Sequence, residues 1–186
     1  MTKNKKTEPT EYDPATMAAL LKEKPKRGRP RHKVSRQNVY VALRPEEKVL
    51  VKEMAGRLPV GLARADVADL AVTILNTRLE ALRRAVAGRN REIPEGVTDM
   101  DSLYLLWDLS LPPKDGEEKW TSVRVSPQQV IELGRAHGAL NAAFGASRSE
   151  TFSLGLVLLD RYLGSGDFLN SAMTLAEMRQ NIQENA

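Results

Sequence analysis

Apolar and polar residues alternate along Asn38-Val39-Tyr40-Val41-Ala42-Leu43, and at Pro45 the period lengthens to that of a helix. Alternation puts Val39, Val41 and Leu43 on one face of a strand, the core face, and Asn38, Tyr40 and Ala42 on the other. Pro45 suits the first helical position, with Glu46 and Glu47 in the first turn. An apolar stripe of Leu50, Val51, Met54, Ala55 and Leu58 then runs along that helix. Gly56-Arg57-Leu58-Pro59-Val60-Gly61 interrupts it. A second, longer helix is predicted from Ala63 or Arg64, with Val67, Leu70, Ala71, Ile74, Leu75, Leu79 and Leu82 on one face, ending near Ala87-Gly88.

The same succession occurs again. Trp120-Thr121-Ser122-Val123-Arg124-Val125-Ser126-Pro127 repeats the strand and helix start, shifted by 127 − 45 = 82 positions. Thr121, Val123 and Val125 face inward; Trp120, Ser122 and Arg124 face outward. After Pro127, Val130, Leu133, His137 and Leu140 share a face, which makes His137 a semi-buried packing residue rather than a metal ligand. Ser147-Arg148-Ser149-Glu150 has the form of a capping box and corresponds to Ala63-Arg64-Ala65-Asp66, now shifted by 147 − 63 = 84 because the turn is two residues longer. Leu154, Gly155, Leu158, Leu159 and Leu163 then take the places of Leu70, Ala71, Ile74, Leu75 and Leu79.

These patterns predict a mainly α fold with short β-strands, divided into an arm (1–35), a first strand-helix-helix unit (36–88), a connector (89–118), a second unit (119–164) and a C-terminal tail or short helix (165–186). Each unit has about fifty residues, a size that seldom buries enough apolar surface alone. Within the connector, Leu103-Tyr104-Leu105-Leu106-Trp107-Asp108-Leu109 is too apolar for a free linker and is expected to pack across the two units, with a partner-binding patch as the alternative.

Composition narrows the chemistry. The chain has no cysteine and two histidines, His32 and His137, which removes thiolate chemistry and leaves no set of ligands for a metal; no cofactor is expected. Paired carboxylates, a Ser-His arrangement and a phosphate loop are likewise missing, so an enzyme is not expected. No apolar run approaches the roughly 18 residues that span a bilayer, and a cytoplasmic, nucleoid-associated protein without a membrane partner is the expectation.

Charge is unevenly distributed. Residues 1–35 hold ten Lys or Arg against four acids, a balance of +6, and the rest has 28 − 10 = 18 basic against 24 − 4 = 20 acidic residues, or −2. A basic arm on a near-neutral body suits a polyanion. The arm is poor in large apolar side chains and predicted to be disordered, apart from a capped helical turn at Asp13-Pro14 through Leu21. Its segment Lys26-Arg27-Gly28-Arg29-Pro30-Arg31 resembles the AT-hook, a minor-groove peptide. Arg is drawn to the concentrated negative potential of a narrow A·T groove, and Gly permits close backbone approach.

The strand followed by two helices, over residues 36–84 and again over 119–163, resembles the ribbon-helix-helix family that includes the Arc and Met repressors. The resemblance implies that two units pair their strands into an antiparallel ribbon that enters the major groove of double-stranded DNA. It implies base-reading roles for Asn38, Tyr40, Ala42, Trp120, Ser122 and Arg124, and phosphate contacts at the second-helix starts, Ala63, Arg64, Ser147 and Arg148. Pairing within one chain would complete each unit independently of concentration and give two unlike strands that read an asymmetric site; pairing between chains would make a homodimer or higher oligomer on DNA. The expected function is sequence-specific DNA binding by a transcriptional repressor. The alternatives are a plasmid partition or conjugation accessory factor and, in another class, an antitoxin-like module acting through Met17–Leu21 or Leu169–Gln183.

Overall fold

In a computed structural model of the chain, which describes residues 35–88, 94–113, 116–166, 168 and 171–185, the two alternating stretches are strands that pair with each other. β1 (Gln37–Leu43) and β2 (Lys119–Val125) run antiparallel, from Gln37 opposite Val125 to Leu43 opposite Lys119. The central pair is Tyr40 and Ser122. These two are also repeat equivalents, since 40 + 82 = 122, so a local two-fold axis passes between them. Each strand thereby supplies the hydrogen-bond partner the other lacks, within one chain. Val39, Val41, Leu43 and Val125 are buried on the inner face, with Thr121 and Val123 half-buried beside them.

Each strand runs straight into a helix. α1 (Pro45–Arg57) starts with Pro45 and is capped by the Glu47 carboxylate, which accepts the Arg44 N–H at 2.7 Å. α2 (Val67–Ala85) follows one 3₁₀ turn, Arg64–Asp66. In the second half, α4 (Pro127–Phe144) ends at Gly145, whose φ of 71° is the left-handed cap that glycine adopts without strain. α5 (Arg148–Ser165) begins with the expected capping box: Ser147 N–H donates to Glu150 Oε2 at 2.7 Å, and Glu150 N–H to Ser147 Oγ at 3.1 Å. The connector contributes α3 (Met100–Leu106), capped by Asp99, and the chain closes with α6 (Leu175–Asn185).

The halves interlock. α1 packs on α5, and α2 packs on α4, so each first helix rests on the other half's second helix, while α2 and α5 cross at the centre. The inner strand face and these helices share one apolar cluster. Residues Val34–Ala186 make one compact unit. A fifty-residue half would expose the stripe its partner covers, which is why the two halves fold together.

Within the connector, part of the apolar run packs into the core. Leu103, Tyr104 and Leu109 are buried in the shared core, whereas Leu105 and Leu106 are exposed. Burial pushes the Tyr104 phenol above its ordinary range, reinforced by the carboxylates of Glu47 and Glu150, one from each half. The C-terminal segment is also structural. Val60 N–H donates to Ser171 O at 2.9 Å and Val60 O accepts from Met173 N–H at 3.1 Å, α6 buries Met178 and Ile182, and Tyr162 donates to Asn181 Oδ1 at 2.5 Å. Among the described residues no helix is long and apolar enough to cross a membrane.

Candidate nucleic-acid interface

The register sorts the six outward positions into three facing pairs: Asn38 with Arg124, Tyr40 with Ser122, and Ala42 with Trp120. Asn38, Ser122 and Arg124 are exposed, and so are Tyr40 at 64% and Trp120 at 76%. Trp120 therefore does not pack into the core, although its size at a strand end would allow that. Ala42 departs from the expected exposed face, being only 8% exposed. A methyl group is short, the Trp120 position stands opposite, and the start of α5 closes over the strand edge at this point. Among the described residues no ion pair or hydrogen bond holds the Arg124 guanidinium.

The starts of α5 and α2 flank the ribbon on its two edges, and specific bonds put them there. On the β1 edge, the Ala42 N–H donates to Ser149 Oγ at 2.8 Å, joining the first turn of α5 to the strand. At the end of β2, the Ser126 N–H donates to Asp69 Oδ1 at 2.7 Å, joining the first turn of α2 to the strand-helix junction. Asp69 is fully buried. Its Oδ2 lies 3.2 Å from Arg179 and 3.5 Å from Arg36 as charge contacts without hydrogen-bond geometry, and Arg36 also pairs with Asp66. Arg179 of α6 donates to Ser126 Oγ at 3.1 Å, so the C-terminal helix fastens the same junction.

Ala63, Arg64, Ser147 and Arg148 are all exposed at these helix starts. Asp66 Oδ2 accepts the Ala63 N–H at 2.7 Å, as Glu150 does for Ser147, so the two starts are built alike. The first N–H groups of a helix have no acceptor inside it, and among the described residues no hydrogen bond engages those of Arg148 and Ser149. The result is a strand pair with an open face, bordered on each edge by a helix N-terminus and an exposed arginine.

Sequence patterns located the outward residues and the helix starts. They did not reveal Ser149, Asp69, Arg36 and Arg179, which hold these parts together. The available signal was weak: Ser149 and Asp69 are polar residues at the start of otherwise apolar helix faces, and the N–H donors they accept from lie 107 and 57 residues away in the chain. The arm residues Lys26, Arg27, Gly28, Arg29, Pro30 and Arg31, and the segment Met17–Leu21, lie outside the described residues. Among the described residues no cluster of His, Cys, Asp or Glu could hold a metal ion. Comparison with protein-family models, with curated protein sequences and with solved structures gives no significant match.

Proposed function

We propose that this chain is a double-stranded DNA-binding protein of ribbon-helix-helix type, with both units carried in tandem on one polypeptide. The observation that carries the proposal is the open ribbon face with a helix start and its exposed arginine on each edge. A major groove about 12 Å wide admits a two-stranded ribbon, and the phosphates along its two rims stand where helix amides and an arginine can meet them. Asn38, Tyr40, Trp120, Ser122 and Arg124 face the base edges; Ala63, Arg64, Ser147 and Arg148 face the backbone; the arm around Lys26–Arg31 adds minor-groove or phosphate contacts. Ala42, buried, contributes its backbone bond to Ser149 and at most its methyl surface.

The particular role proposed is that of a transcriptional repressor, which needs occupancy of a promoter and no chemistry. An antitoxin acting through the C-terminal segment is disfavoured, because Met178 and Ile182 spend the apolar face of α6 inside this chain. Gel-shift and footprinting of the DNA upstream of the protein's own gene, with a salt titration, test the proposal. Protection should overlap the promoter, and with six arm charges displacing counterions affinity should fall roughly a thousandfold between 50 and 200 mM salt. Protection confined to an origin or a partition site would point to the accessory-factor role, and no duplex binding at 50 mM salt would end the DNA-binding proposal.

A further inference from the structure

The pairing register gives the ribbon two chemically unlike ends. At one end Asn38 faces Arg124, both exposed; at the other Ala42 faces Trp120. Facing residues on one side of an antiparallel pair have Cβ atoms about 4.5–5.5 Å apart. The first end thus sets an exposed amide and a guanidinium with no ion pair among the described residues side by side, while at the second a nearly covered methyl adjoins a tryptophan that is 76% exposed. In a ribbon built from two copies of one strand, the two-fold axis would carry each end onto an identical one, and a palindrome would be read. Here the axis at Tyr40 and Ser122 carries Asn38 onto Trp120, since 38 + 82 = 120, and Ala42 onto Arg124, since 42 + 82 = 124.

The geometry points to a DNA site without two-fold symmetry, in which the Asn38/Arg124 end reads an adjoining adenine and guanine by paired hydrogen bonds while the Trp120 end lies against thymine methyl groups. The inference rests on the ribbon being the major-groove element. Arginine forms a bidentate pair with guanine O6 and N7, and asparagine with adenine N6 and N7; thymine carries the only apolar group in that groove. The side-chain separation of about 5 Å, set against a base rise of about 3.4 Å, puts the two hydrogen-bonded bases on the same or adjacent base pairs. Both strands belong to one chain, so the polar end cannot be duplicated by strand exchange within the ribbon.

Selection of bound duplexes from a random-sequence pool by the full-length chain tests this. The expected motif is non-palindromic, with fixed guanine and adenine in one half and a thymine preference in the other. Arg124→Ala should weaken binding to that motif by about 5- to 150-fold and erase the preference at the guanine alone. Arg124→Lys keeps the charge without the planar fork and should erase the same preference with a smaller loss on random DNA. Asn38→Ala should act at the adenine, and Trp120→Ala at the thymines without touching guanine or adenine. A palindromic motif, or a guanine preference that survives Arg124→Ala, overturns the asymmetric reading and leaves major-groove binding standing. Equal retention of all duplexes, or enrichment of single strands on Tyr40 and Trp120, overturns both.

Discussion

Gly155 of α5 rests against the backbone carbonyl of Ala71 in α2: a Cβ on residue 155 would stand 2.7 Å from that oxygen. The two residues are repeat equivalents, since 71 + 84 = 155, so the central helix crossing lies on the same local two-fold relation as the Tyr40–Ser122 pair in the ribbon. Alanine at both positions would force the helices apart. Gly155→Ala gains up to about 1 kcal/mol of helix propensity but overpacks a rigid backbone contact at a cost of about 1–3 kcal/mol. A net loss of about 1–2 kcal/mol is expected by urea unfolding. Gly56→Ala, in α1 with open space around it, is the control and should stabilise by about 0.5–1 kcal/mol. A Gly155→Ala protein as stable as the parent would show that the crossing is looser than described.

Both strands and both helix pairs are completed within one polypeptide. Light scattering at micromolar concentration should therefore give the mass of a single chain, 20.7 kDa. A stable dimer with no folded monomer would mean that the strands pair between molecules.

The buried carboxylate of Asp69 accepts the Ser126 N–H and neutralises Arg36 and Arg179. Asp69→Ala leaves the Ser126 N–H without its acceptor and takes a buried carboxylate from Arg36, which keeps Asp66, and from Arg179, which keeps Ser126 Oγ. The expected loss is about 3–5 kcal/mol, the range for breaking a buried ion pair from one side. Glu117→Ala, which breaks an exposed pair with Lys119, should change stability by less than about 1 kcal/mol. Similar effects for the two in denaturant titrations would contradict the anchoring role of Asp69.

Tyr104 has a folded pKa raised above its ordinary value of 10, first by burial and then by Glu47. The unfolded chain loses the phenolic proton more readily than the folded one. The contribution of neutral Tyr104 to stability is thus fully present below pH 10 and is lost as pH rises above it. Tyr104→Phe should flatten part of the fall in unfolding free energy on the alkaline side, measured between pH 9 and 11. An unchanged alkaline slope would remove Tyr104 from that dependence.

Local periodicity was enough to place β1, α1, α2, β2, α4 and α5, because strand alternation, Pro at a helix start and a capping box act over a few residues. The 82- and 84-residue shifts also exposed the duplication, and with it the faces on which Asn38, Tyr40, Trp120, Ser122 and Arg124 sit. Tertiary structure decided the rest. It paired the strands within the chain, set Asn38 opposite Arg124, drew Ala42 under cover, and turned the connector and C-terminal segment into parts of one core. Those outcomes depend on contacts between residues such as Ala42 and Ser149 or Ser126 and Asp69, which are remote in the chain and leave no short-range pattern. They arise because neither half can bury its apolar stripe or satisfy its strand alone, a deficit that only the other half's surface makes good.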